Sequence, residues 1–408
     1  MRHLTRTPAT SPRPGHLSSG IASNPPQPEA PSQPAAPGAA RSFPCRSCGA
    51  DLAFKPGLHA LSCDYCGTEN ALPDKTDGKV QEQDYLKTLA VLKGRYETLH
   101  PPTLKCNGCG AAVDRPPHID ALPCPFCGFG LVDAGINDRV LKPEAVLPFH
   151  LNEQDARDAF RKWVRKLWFA PNALKRDARN GDRLTGVYIP YWTYDSHTVS
   201  DYTGQRGEHY WVNESYWTTE TRTDSHGRTR SRRVRKTRRV RKTRWYPASG
   251  TVAVGFDDLL VLAGKSLPEA LVKKLTPWDL AHLQPYQDAY LAGLLAERYQ
   301  VSVEPGFVVA QQKMAPTIRS HVASDIGGDE QRIHRVTTQY HDIAFKHILL
   351  PIWSCAYRFN NKVYRYLVNA RTGKVQGNRP YSYWKISATI LTILGIIAAV
   401  AALIAMQG

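Results

Sequence analysis

Outside residues 45–127 the chain holds one cysteine, Cys355, and nowhere does it carry a motif that announces an enzyme. There is no G-x-S-x-G nucleophile turn and no H-E-x-x-H metalloprotease pair. Gly264-Lys265-Ser266 ends like a phosphate-binding loop, but the glycine needed five positions earlier is Leu259, so the cradle is missing. His334, His341 and His347 fall on expected strands at spacings that do not gather them on one face. The first residues lack an apolar run, so no secretory signal is visible. Residues 1–42, rich in Pro, Ala and Ser, have almost no large apolar side chains and are expected to be disordered, because they bury too little to offset their ordering entropy. Acids are scarce as well, 36 against 53 Lys and Arg, for a formal net charge of +17. That imbalance is local: between Thr221 and Arg244 twelve basic residues face one acid, Asp224. It points to a local anionic partner or a solvated arm rather than to a general property of the protein.

What is present is cysteine in a strict pattern. Cys45, Cys48, Cys63 and Cys66 read C-x2-C-x14-C-x2-C, and Cys106, Cys109, Cys124 and Cys127 repeat it sixty-one residues later. The glycine after each pair and the Ala-Leu before each second pair recur in register, so the segment is a duplication. Two residues between cysteines let both sulfurs of a tight knuckle face one cation, and the glycine supplies the positive φ such a turn requires. Two facing knuckles place four sulfurs roughly 2.3 Å from a central ion, the closed tetrahedron of structural zinc. A fourteen-residue spacer suits a short hairpin, so each copy is expected to be a zinc ribbon, giving two Zn²⁺ per chain. Disulfides are disfavoured because nothing exports the segment, and a redox pair needs no second copy. An iron–sulfur cluster is the remaining rival. With sulfur in every ligand position there is no place for a catalytic water.

The expected fold class is α+β: two small four-cysteine zinc ribbons, an α+β domain with an antiparallel sheet, and one C-terminal transmembrane helix. The divisions fall at 43–68 for the first ribbon, 69–103 for a helical linker with a stripe of Tyr85, Leu89, Leu92, Tyr96 and Leu99, and 104–130 for the second ribbon. The α+β domain takes 131–384 and contains a basic hairpin, 220–244. Asn152 and Asp155 cap a helix carrying Ala156, Phe160, Trp163, Val164 and Leu167. Further helices are expected around 267–275, 285–299 and 303–325. Gly186–Tyr194 reads as a strand whose Ile189-Pro190-Tyr191-Trp192 returns as Leu350-Pro351-Ile352-Trp353, hinting at paired halves of one sheet, and a hairpin over 362–375 turns at Thr372-Gly373.

Residues 386–406 carry no charge over twenty-one positions, about 31 Å of helix, enough to cross a bilayer. Tyr381, Tyr383, Trp384 and Lys385 precede them, with Arg371, Lys374 and Arg379 further back, so the helix is expected to span once with the bulk of the chain in the cytosol. In the basic hairpin Arg232, Arg233, Arg235, Lys236, Arg238, Arg239, Arg241, Lys242 and Arg244 form a tandem repeat beyond a turn at Asp224–Gly227. Anionic lipid, nucleic acid and an acidic protein surface all remain open as its partner, beside a solvated arm without one.

After the twin ribbons come Val146–Phe149, Gly186–Trp192, Thr243–Gly250, Tyr290–Gly293 and Asn369–Lys374. Together, from about Phe43 to Trp384, they resemble bacterial proteins catalogued as TFIIB-type zinc-ribbon-containing proteins, sometimes as primosomal protein N′ (replication factor Y) or helicase-like. The resemblance implies that the eight cysteines are metal ligands. It implies no helicase, since the motor motifs are lacking. Some members sit beside phage-shock-protein-A-like and SPFH-type membrane proteins, which implies an envelope-stress or membrane-scaffold role in the bacterial inner membrane. The expectation is a non-enzymatic adaptor binding protein partners, with no small-molecule substrate. The alternative is a membrane-tethered nucleic-acid-binding protein.

Overall fold

The computed structural model describes residues 43–58, 60–72, 80, 82–92, 98–99, 103–114, 122–133, 140–171, 184–223, 229–359, 362–378 and 381–407. The tail 1–42, the turn at Asp224–Gly227, Tyr96 and Arg379 lie outside them.

The sheet is built on three very long strands, β1 (Thr185–Thr223), β2 (Thr229–Leu262) and β3 (Glu330–Phe359), with β1 in the middle. β3 continues into β4 (Lys362–Asn369) and β5 (Val375–Gly377), the latter pair turning at Gly373 with φ +72°. The two Pro-aromatic segments are direct neighbours: Ile189 pairs with Leu350 and Pro190 with Leu349. Among the described residues four helices of eight residues or more accompany the sheet, α1 (Tyr85–Leu92), α2 (Glu153–Lys166), α3 (Val303–Ile326) and α4 (Tyr383–Gln407), and the expected helix at 267–275 is the short turn Glu269–Val272 followed by the 3-10 turn Lys273–Leu275. Asn152 and Asp155 form a reciprocal capping box on α2, and Ala156, Phe160 and Val164 are its buried stripe.

Both faces of the β1–β3 pair are covered. Val187, Ile189, Ile348, Leu350 and Ile352 pack with Leu104, Val113 and Phe126 of the second cysteine repeat. Tyr188, Leu349 and Trp353 pack with Leu52, Phe54 and Leu61 of the first. The two repeats thus clamp one sheet from opposite sides, since alternate strand residues point to opposite faces. That arrangement accounts for the unbroken apolar runs Val187–Trp192 and Ile348–Trp353, which a half-exposed strand would interrupt with polar residues. Farther along, α3 lies on Trp192, Tyr194 and Tyr202.

Two further expected helices are corrected. Residues 285–299 form a short 3-10 turn, Asp288–Leu291, and a two-residue strand, Leu295–Ala296, that pairs with β1. Gly293 at φ +73° interrupts the helix, and the buried side chains are spent on the first repeat and on the sheet rather than on one helical stripe. The stripe from Tyr85 ends as helix at Leu92, and Leu99 belongs instead to a strand paired with Val140–Leu141.

Candidate metal centres and the cationic ribbon

All four knuckles share one geometry. The glycine closing each pair donates its amide to the carbonyl of the first cysteine, from Gly49 to Cys45, Gly67 to Cys63 and Gly110 to Cys106 at 2.9 Å, and from Gly128 to Cys124 at 2.8 Å. Each of these glycines has φ between +72° and +77°, which a side chain would resist. The knuckles bring together every cysteine singled out for metal binding. Within each quartet the four Sγ atoms lie within 4.8 Å of one another. Cys45 and Cys66 approach to 3.6 Å, Cys48 and Cys63 to 3.4 Å, Cys106 and Cys127 to 3.3 Å, and Cys109 and Cys124 to 3.6 Å. Four sulfurs at about 2.3 Å from one ion stand about 3.8 Å apart, so the donor sets fit a tetrahedral cation.

The surroundings divide the thiols, drawing Cys45, Cys66 and Cys109 down and pushing Cys48, Cys124 and Cys127 up. Ser47 and Gly108 aim their amides at the sulfurs of Cys45 and Cys106, both at 3.4 Å. A hydrogen bond with the Thr68 hydroxyl draws Cys66 down to about 6, and one with the Cys124 thiol draws Cys109 down to about 5. Burial pushes Cys127 up to about 11. The quartets differ in access: Cys48 and Cys66 are exposed, whereas Cys106, Cys124 and Cys127 are buried.

The second repeat is the more tightly wired. Arg298 donates from its amide to the Ala112 carbonyl and from Nε to Asp114, both at 2.9 Å, and the Gln300 side chain donates to the Gly110 carbonyl at 2.7 Å. Neighbouring Gly264-Lys265-Ser266 serves an internal carboxylate. The amide and hydroxyl of Ser266 both donate to buried Glu297, and a Cβ at Gly264 would stand 2.5 Å from that carboxylate. No space for a phosphate remains there. His347 is an ordinary buried histidine between Trp192 and Tyr299, with its pKa pushed down to about 4 by desolvation.

The nine basic candidates all lie on β2, opposite β1, and alternation divides them between two faces. Arg232, Lys236, Arg238, Lys242 and Arg244 share one face with Glu214 and Glu220, which pair with Lys242 at 2.8 Å and Lys236 at 2.5 Å. Arg233, Arg235, Arg239 and Arg241 occupy the other. Sequence reasoning missed the aromatic partners on β1. Arg244 lies over Tyr210, Arg239 over Trp211, Arg238 over Tyr216 and Arg233 over Trp217, with 4.9–5.8 Å to the ring centroids. The doublets Tyr210-Trp211 and Tyr216-Trp217, six residues apart on the arm before the basic repeat, were the available signal.

Helix α4 is long and apolar enough to cross a membrane, and no residue of its apolar span, Tyr383–Ile404, is buried in the body. At its base the Ser382 amide donates to the Phe169 carbonyl and Lys385 Nζ to the Ala170 carbonyl, both at 2.8 Å. Exposed Trp168 thereby joins Tyr383 and Trp384 at the base of the apolar helix, an addition to its flanking aromatics that sequence order hid.

No protein-family model matches the chain, and no solved structure matches it. It is similar to the uncharacterized protein YdjG of Bacillus subtilis (strain 168), at 27% identity over 369 residues that cover 87% of this chain and 94% of that protein.

Proposed function

We propose that this chain is a membrane-anchored adaptor of the TFIIB-type zinc-ribbon kind, holding two structural zinc ions and facing the bacterial cytosol. One observation carries the reading. β1 begins between the two cysteine quartets, in the same sheet as β5, the last strand before α4, and ends in an exposed cationic ribbon. A body stapled by metal at the membrane end and extended at the other is built to hold partners, not to turn over substrate. Four sulfurs around each centre leave no position for a reacting ligand, which supports a purely structural metal. A reducing compartment keeps eight thiols available for it. Arg371, Lys374 and Lys385 on the N-terminal flank of α4 favour a cytosolic body. The ordered motifs shared with the ribbon family support protein partners in an envelope-stress or membrane-scaffold setting.

Deleting residues 383–408 tests the anchor and the staples together. The expected product moves to the soluble fraction and retains two zinc ions per chain. Persistence in carbonate-washed membranes, or loss of the metal on release, contradicts the reading. Crosslinking in intact membranes followed by detergent pull-down is expected to recover protein partners that disappear with the anchor.

A further inference from the structure

Beyond Gly207, the last β1 residue that pairs with β3, β1 and β2 continue alone through sixteen pairs, from Glu208 with Arg244 to Thr223 with Thr229. At about 3.3 Å per residue this is roughly 50 Å of ribbon. No other described strand covers either edge of it.

The ribbon's two faces differ in kind. One is partly self-neutralised by Glu214 and Glu220. From Trp211 outward the other bears no acid. On it, Arg241, Arg239, Arg235 and Arg233 line the β2 side, while Trp211, Asn213, Ser215, Trp217 and Thr219 line the β1 side. The face therefore has an arginine rail beside a rail of aromatic and hydrogen-bonding groups, with facing positions about 5 Å apart. Trp211 is 54% exposed and Trp217 62%, although such large apolar rings are ordinarily buried.

We infer that this face binds single-stranded nucleic acid, with phosphates along the arginines and bases stacked on Trp211 and Trp217. Same-face residues recur about every 6.6 Å, so Arg233 with Arg235 and Arg239 with Arg241 form two clamps along one backbone line. Aromatic rings beside a cationic track are how proteins hold unpaired strands, because every base has a face to stack. Asn213, Ser215 and Thr219 add donors and acceptors at the height of the base edges.

Headgroups of the anchoring membrane fit less well. α4 departs beside Phe169 and Ala170, and β5, just before it, pairs through Tyr366 to Cys355, next to the Ser354–Thr185 pair at the start of β1. From Thr185 to Glu208, β1 then runs roughly 75 Å of contour before the bare ribbon begins. α3 lies along part of that stretch, its first turn accepting from the Tyr194 hydroxyl and its last turn from that of Tyr202. Attraction to lipid charge fades within about 8 Å at physiological salt. The inference names a partner for the free end of the proposed adaptor and rests on that reading only for the anchor.

The test uses the full chain in nanodiscs of neutral phosphatidylcholine and a fluorescent thirty-nucleotide oligothymidine, titrated by anisotropy across a salt series. The parent is expected to bind. Trp211→Ala with Trp217→Ala leaves the charge untouched and is expected to weaken binding at least tenfold. Trp211→Phe with Trp217→Phe is expected to restore it. Replacing Arg233, Arg235, Arg239 and Arg241 by Gln is expected to flatten the slope of log K against log salt by about 3. Metal content equal to the parent's certifies the body of each variant, and unchanged resistance of residues 208–244 to limited proteolysis certifies its ribbon. Binding that ignores both tryptophans overturns the inference. So does capture of phosphatidylglycerol vesicles or polyglutamate with no affinity for the oligonucleotide. Soluble release of the anchor-deleted chain is read separately, so failure of the adaptor reading and failure of this one are distinguishable.

Discussion

Ser354 near the C-terminal end of β3 donates its hydroxyl to the carbonyl of Pro125 at 2.6 Å, and Pro125 sits inside the second metal knuckle, between Cys124 and Phe126. A strand of the central sheet and the turn that presents two sulfurs are thus one hydrogen-bonded unit. Removing the hydroxyl leaves a buried carbonyl without that donor. Ser354→Ala is expected to cost about 1–3 kcal/mol and to speed metal loss from the second quartet. Denaturant unfolding and chelator kinetics on the same preparation read the two effects. A variant equal to its parent in both contradicts the coupling.

The unequal burial of the quartets predicts staged release. Cys48 and Cys66 are open to solvent, whereas Cys106, Cys124 and Cys127 are enclosed. With a coloured chelator and an alkylating reagent, metal is expected to leave in two phases. Peptide mass spectrometry is expected to place modification at Cys48 and Cys66 in the first. A single phase, or early modification of Cys124, contradicts the assigned packing.

Lys346 is 6% exposed and lies 2.7 Å from Asp258, 3.2 Å from Glu82 and 3.8 Å from Asp195. It stands among carboxylates whose cluster alone would suggest a cation site, and it braces the bulge where β1 shifts register. Lys346→Met strands the carboxylates and is expected to destabilise by about 3–5 kcal/mol. Adding Asp195→Asn and Asp258→Asn is expected to recover part of that loss. A stable single variant, by thermal unfolding, counts against the brace.

Desolvation pushes Glu144 up to about 7, against the hydrogen bonds it accepts from the His347 amide and the Gln83 side chain, each at 2.5 Å. A carboxyl whose pKa is higher folded than unfolded binds its proton more tightly in the native state. Its contribution is complete below about pH 4.5 and is lost as pH rises through 7. His347 acts oppositely: held near 4, it favours folding at neutral pH and loses that advantage as pH falls below about 6.5. Comparing Glu144→Gln with the parent cancels the histidine. The stability difference is expected to shift toward the variant between pH 5 and 8, whatever its constant offset. A pH-independent difference refutes the assigned pKa.

Much of this molecule is legible before folding wherever the physics is local. Knuckle glycines, the Asn152–Asp155 box and the turn at Gly373 need only their neighbours. That the two Pro-aromatic strands share a sheet is hinted at by their common pattern, but the register that sets Pro190 beside Leu349 is not. The double clamp was written in the missing alternation of Val187–Trp192 but requires knowing what covers each face. Charge marks the hairpin over 220–244, whereas its strands pair from Tyr191 with Leu262 out to Thr223 with Thr229. A two-stranded ribbon has no core, so Arg232–Arg244 carries no hydrophobic period that would announce its length or its aromatic partners. The segment 285–299 misled because its apolar residues serve two layers instead of one helical face.

Elemental analysis of the full chain, purified in detergent under reducing conditions, tests the foundation most directly. Two zinc ions per chain are expected, with no iron, no acid-labile sulfide and nine titratable thiols after denaturation in chelator, the eight ligands and Cys355. Iron with sulfide, less than one metal per chain, or disulfides among Cys45–Cys127 in material trapped from intact cells would contradict it.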